Sequence, residues 1–268
     1  MNVIIYIVIA IIILGTVIYL AYPKPHIVFV EPETTYVEIR YDPFFQRMSP
    51  YDLYARQCKS GQEYLERYRN SLKEFTVEEK KVITSAIAKA DTLFKPYPRI
   101  SGLQWRFVKL GAGLEAGMPH TIGGLIVINE TEFERTDDRD LLRTLVHEKI
   151  HIYQKHYPEE TRTLIHDCWG FEPTLMTNSF VRNNPDADKK IYRFGEEYVA
   201  AIYREKDPVN VKDVDMSVEP SKFNYTADTK NVSHPYEIMA HELTLVLIGA
   251  EGDNEVLKGT KEWMREWL

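Results

Sequence analysis

The stretch that decides how this chain is read runs from Asp137 to Tyr157, DDRDLLRTLVHEKIHIYQKHY. Asp137 or Asp138 suits a helix cap, and Asp140 puts negative charge in the first turn, where unpaired N–H groups favour it. Leu141, Leu142, Leu145, Val146, Ile150 and Tyr153 recur at helical spacing, so one side of the helix is expected to pack on a core. His147-Glu148-Lys149-Ile150-His151 lies on that helix. Side chains four apart stand nearly above one another, so both imidazoles can reach one metal ion, with the Glu148 carboxylate beside them. A surface helix with two histidines and a Glu–Lys pair is the plainer reading of the same residues. The aliphatic residues on both sides argue against it, because they bury the helix. Lys149 is the odd member, and its stem is expected to run outward to keep its ammonium in water.

Working upstream, Leu125–Asn129 (LIVIN) reads as a strand, preceded by Met118-Pro119-His120-Thr121 and two glycines. Before a glycine-rich turn at Gly111–Gly117, residues Gln104–Leu110 (QWRFVKL) alternate and carry aromatics, which is a strand pattern. Thr76-Val77-Glu78-Glu79 forms a capping box that starts a helix running to about Phe94, stopped by Pro96 and Pro98. Tyr51–Phe75 is also helical in composition.

Strand, loop, strand and then a helix bearing H-E-x-x-H resembles the zincin zinc metallopeptidases, over roughly Gln104–Gly249. The resemblance implies an α+β fold: a small sheet, an active-site helix and a second, ligand-bearing helix. It implies that His147 and His151 bind Zn²⁺ and that Glu148 acts as general base on a peptide or protein substrate. The strand Leu125–Asn129 would edge the cleft and pair with an extended substrate. His120, in the loop before that strand, is a candidate to stabilise the oxyanion, as is one of the 17 tyrosines. The plainer reading of His120 is a turn histidine bonded to backbone.

Zinc needs a third protein ligand. Ser233–Gly249 (SHPYEIMAHELTLVLIG) reads as an apolar helix started by Ser233 or His234 and Pro235. A carboxylate on such a helix is costly to bury unless it is paired or bound to metal. Glu237 resembles the glutamate ligand of the gluzincin group; His241 and Glu242 are rivals. An acid at a helix N-terminus is welcome for its own sake, so Glu237 needs no metal to be explained. The intervening segment offers His166-Asp167 as a pair that could orient a ligand or sit on a surface turn. It also holds an Asn183-Asn184-Pro185-Asp186 turn and a strand followed by extended chain over Ile191–Tyr203. Lys261–Leu268, with Trp263 and Trp267 four apart, is expected to dock on the domain surface.

Val3–Tyr22 is a run of 20 residues without charge, long enough for a single transmembrane anchor. Its flanking charges and three N-x-S/T triplets, at Asn129, Asn224 and Asn231, point to opposite sides of a membrane. Prolines 23, 25, 32, 43 and 50 suggest a stalk over residues 23–50, with one short strand at Thr34–Arg40, and residues 51–268 then form the main domain. Cys58 and Cys168 allow at most one disulfide, so this is no disulfide scaffold. A net charge of -7 with no basic block makes nucleic acid an unexpected partner. The function expected is that of a membrane-anchored zinc metallopeptidase; the alternative is a non-catalytic structural or assembly protein that keeps a zincin-like fold.

Overall fold

The computed structural model describes residues 26–135, 138–216, 234–249 and 255–268. At its centre lies a mixed sheet in the order β1 (Ile27–Phe29), β3 (Trp105–Leu110), β5 (Leu125–Asn129), β4 (His120–Ile122), with the short β2 (Leu72–Lys73) pairing the end of β3. β1, β3 and β5 are parallel, while β4 runs antiparallel to β5 and forms the edge. The two central strands are buried on both faces. Trp105, Phe107, Ile126 and Ile128 point one way, and Val108, Leu110, Leu125 and Val127 point the other.

Helices cover both faces. On one side lie α1 (Pro32–Ile39), α2 (Pro43–Gln46), α3 (Pro50–Ala55) and α4 (Gly61–Ser71), from which Ile39, Phe44, Phe45, Tyr64, Leu65 and Tyr68 fill the core. On the other lie α5 (Val77–Phe94), the short α6 (Pro98–Ser101) and α7 (Glu132–Arg135), and the motif helix α8 (Asp138–His156). Leu145, Val146, Ile150 and Tyr153 of α8 pack with Ile83, Ile87 and Phe94 of α5. The expected capping box is present: Thr76 Oγ1 accepts from the Glu79 N–H, and Glu79 accepts from the Thr76 N–H. Beyond α8 come α9 (Pro158–Arg162), a π-helical turn (Thr163–Cys168), the small strands β6 to β8 (Phe171–Pro173, Tyr192–Phe194, Glu197–Val199) and the pair β9 (Ala201–Tyr203) and β10 (Val214–Met216). α10 (Pro235–Leu247) then lies against α8, and α11 (Glu255–Trp267) closes the core with Trp263, Met264 and Leu268.

The α+β class holds, but several expectations are corrected. The proposed transmembrane segment, residues 3–22, lies outside the described residues, and no helix among the described residues is long and apolar enough to cross a membrane. The transmembrane component of the fold, and the membrane localisation drawn from it, are dropped. The segment expected as a stalk is built into the domain from residue 27 onward. β1 joins the sheet, and Thr34–Arg40 is mostly helix, because Pro32 presets the first turn and Thr35 and Ile39, four apart, both turn inward. Leu125–Asn129 is an interior strand, as an all-apolar run should be, and β4 takes the edge.

Candidate functional site

The site forms where α8 meets the first turn of α10. His147 and His151 project from one face of α8, and Glu237 sits two residues inside the start of α10, behind Pro235 and a His234 cap. His147 Nε2 and His151 Nε2 lie 3.0 Å apart, and Glu237 Oε2 is 3.4 Å from each. Atoms at these separations lie on a circle of radius about 1.9 Å. A point displaced about 0.9 Å from their plane is therefore about 2.1 Å from all three, a normal zinc–nitrogen or zinc–oxygen bond length. Two imidazoles and a carboxylate also form the donor set that zinc prefers in sites that keep a position open. Among the described residues these three are the group of potential ligands that converges. His151 is fully buried, whereas His147 and Glu237 keep 16% and 17% exposure, so the cluster is approachable from their side.

Two of the three ligand candidates, His151 and Glu237, are held from behind. Gln154 Nε2 donates to the Tyr236 carbonyl at 2.8 Å, which turns its Oε1 toward His151 Nδ1 at 2.7 Å. That oxygen accepts, so the proton sits on Nδ1 and the Nε2 lone pair is left facing the cluster. Asn184 Nδ2 donates to Glu237 Oε1 at 2.5 Å, leaving Oε2 for the imidazoles. Burial pushes the His151 imidazole down, but the charges of Glu237 and Asp186 outweigh it and raise it to about 10. Burial also opposes ionisation of Glu237, yet the His151 and His147 rings hold its carboxyl well below the usual range. His147 is lowered by burial. The cluster thus sets a carboxylate against two imidazoles, an arrangement with the charge and donors to hold a cation.

Glu148, the next residue on α8, is 3% exposed, and its Oε2 has no hydrogen-bond partner among the described residues. Its carboxyl is raised well above the usual range, first by burial and then by the charge of Asp186. Lys149 does not run outward. It is 1% exposed, its Nζ donates to the Leu103 carbonyl at 2.5 Å and lies 4.2 Å from the Trp105 ring, and burial lowers it to about 7. The reason is position: α8 is covered on that flank by α6 and β3, so no route to water is open.

His120 belongs to another part of the molecule. It lies in β4, not in a loop, and strand alternation turns it to the sheet face away from α8, where Tyr68 Oη is 2.9 Å from its Nε2. Its neighbour Thr121 faces α8 instead, taking Lys155 Nζ on its carbonyl and giving its N–H to Asp186 Oδ1. His241 stacks edge-on against His147, ring centroids 4.6 Å apart, and burial lowers it to about 3; it stands outside the convergence, as does the buried Glu242. His166 and Asp167 pair with each other on the exposed π-helical turn. Tyr64, Tyr68, Tyr153, Tyr192 and Tyr203 spend their hydroxyls on Glu115, His120, the Trp267 carbonyl, Asp188 and Asp52. The residues that sequence reading missed are Gln154, Asn184, Asp186 and Thr121. Gln154 was within reach of it, three residues from His151 on the same helical face. No known protein family, curated protein or solved structure matches this chain.

Proposed function

We propose that this protein is a zinc-dependent hydrolase acting on peptide bonds, with His147, His151 and Glu237 as the residues that would hold the ion. The observation that carries this reading is the convergence of three ligand atoms at 3.0, 3.4 and 3.4 Å beside a buried, unpartnered Glu148 oxygen. When bound, zinc supplies a Lewis acid that polarises a carbonyl and acidifies water. Glu148 Oε2 takes the proton of the attacking water, hydroxide adds to the peptide carbon, and the same oxygen passes that proton to the amine as the C–N bond breaks. Burial and the charge of Asp186 raise the Glu148 carboxyl well above the usual range, so it holds a proton more firmly than an exposed glutamate does. Gln154 fixes the His151 tautomer throughout.

One observation favours a second reading, a metal-binding protein without hydrolysis. Thr121 is the residue of β4 whose N–H and C=O face away from β5, and both are taken, by Asp186 and Lys155. An extended peptide therefore has no free pair at Thr121 on which to add as a strand. Purified protein loaded with zinc and offered a mixed peptide library separates the two. The hydrolase predicts cleavage that falls by a factor of about 10² or more in Glu148→Gln, with zinc content unchanged, and is lost with the metal in His147→Ala. Glu148→Gln cutting at the wild-type rate refutes the mechanism, and a zinc-loaded wild type that cuts nothing leaves the second reading.

A further inference from the structure

We infer that Asn184 is a positioning residue for the metal centre, aiming the Glu237 carboxylate. The inference rests on the reading of His147, His151 and Glu237 as metal ligands. Asn184 lies on the loop between β6 and β7, far in sequence from both site helices. Its Nδ2 reaches Glu237 Oε1 at 2.5 Å, while its Oδ1 accepts the Asp186 N–H at 3.1 Å. Those two bonds fix the amide's orientation, since the end facing a carboxylate must donate and the end facing an N–H must accept. A glutamate with one oxygen pinned presents the other in a single direction, so less rotamer freedom remains to be lost when a cation arrives.

The loop itself is anchored to the opposite side of the domain through Asn183. The Asn183 N–H donates to Asp52 Oδ1 at 2.8 Å, its Nδ2 to the Phe44 carbonyl at 2.7 Å, and its carbonyl accepts from Arg56 Nη2 at 3.0 Å. Arg56 is in turn held by Glu115 through Nε and Nη2 at 2.7 and 2.9 Å. All four of these residues lie on α2, α3 or the loop before β4, beyond the sheet from α8. Asn184 is thus delivered to Glu237 by a rigid mount, and it continues the pattern in which Gln154 steadies His151. Partners of this kind typically change metal affinity by about 10- to 100-fold when removed.

The test uses Asn184→Asp, which keeps the shape and the Oδ1 acceptor of the turn but puts an oxygen where Nδ2 faced Glu237. Zinc affinity is measured by chelator competition, and the Co²⁺ absorption spectrum reports ligand geometry. The expected result is affinity weakened about 10- to 100-fold and an altered Co²⁺ spectrum. In a Glu237→Gln background the same substitution should add almost nothing, because the group it aims is no longer a carboxylate. Wild-type affinity and spectrum in Asn184→Asp, or an undiminished effect in the Glu237→Gln background, overturns the positioning role alone. A wild-type protein that takes up no zinc overturns the metal reading and this inference with it.

Discussion

Arg56 is the point at which the mount of the site can be loaded and measured. Its guanidinium is buried and makes four hydrogen bonds, two to Glu115 and one each to the Asn183 and Asp52 carbonyls, with Asp52 Oδ1 at 3.5 Å. Arg56→Met keeps most of the stem and removes the charge. Glu115, 5% exposed, is then left with the Tyr64 hydroxyl at 2.7 Å as its remaining side-chain hydrogen bond. Breaking one side of such a pair costs about 3–5 kcal/mol, mostly for the charge stranded in the interior. In urea, with a slope of about 2–3 kcal/mol per molar, that moves the midpoint down by roughly 1–2 M. Glu115→Gln alone should cost less, and the double variant should lose at least about 2 kcal/mol less than the sum of the singles, because neither charge is then stranded. The pH dependence carries a sign as well. Burial raises the Glu115 carboxyl, but Arg56 outweighs it and holds it below its ordinary value of 4.5. Its stabilisation is therefore present above that value and fades as pH falls through the folded one. Without Arg56 the burial effect meets only the weaker pull of His120 and the Tyr64 hydroxyl, so the carboxyl moves upward and acidification relieves part of the strain. The deficit of Arg56→Met relative to wild type should accordingly shrink between pH 7 and pH 4. Additive single substitutions, or a deficit constant across that range, would refute the argument that this pair holds the mount together.

Two further outcomes follow from the same structure. Zinc at about 100 times its dissociation constant should raise stability by about 2.7 kcal/mol in differential scanning fluorimetry, and His147→Ala should abolish the shift; equal shifts in both proteins would place the bound zinc elsewhere. Trp263 is 4% exposed, donates Nε1–H to Thr163 Oγ1 at 3.0 Å and meets Tyr153 edge-on at 6.1 Å, so Trp263→Ala should cost about 3–5 kcal/mol by denaturant titration. A loss under about 1 kcal/mol would mean that α11 does not contribute to the core.

What could be read from the sequence was what local chemistry determines. The Thr76 capping box, the existence of the strands around Phe107 and Val127, and the single face shared by His147 and His151 are each set by residues within a few positions of one another. The choice of Glu237 over His241 and Glu242 rested on its resemblance to the gluzincin glutamate; the cost of burying an acid on an apolar helix only narrowed the search to that helix. Where tertiary packing outvotes local pattern, the reading failed. Thr34–Arg40 alternates like a strand, yet Thr35 and Ile39 are drawn into the core beneath the sheet and the segment coils around them. Lys149 carries a charge that should seek water, but its neighbours on both flanks are buried, and a backbone carbonyl and an indole face accept it inside. Asn184 was invisible because its partner lies 53 residues away and turn asparagines need no distant partner to be explained.

The carboxylates around the two imidazoles bear on the proposed metal reading. Asp186 is engaged by the Thr121 N–H and hydroxyl, and Glu237 by Asn184 and the histidines, but Glu148 Oε2 has no hydrogen-bond donor among the described residues. Next to Asp186 and Glu237 it is driven toward its protonated form, which makes it a poor base. A double positive charge among His147, His151 and Glu237 would reverse this, since a cation beside a carboxyl favours the ionised state. On the proposed reading, the group that would accept a proton from water gains its charge as the ion that would activate that water arrives.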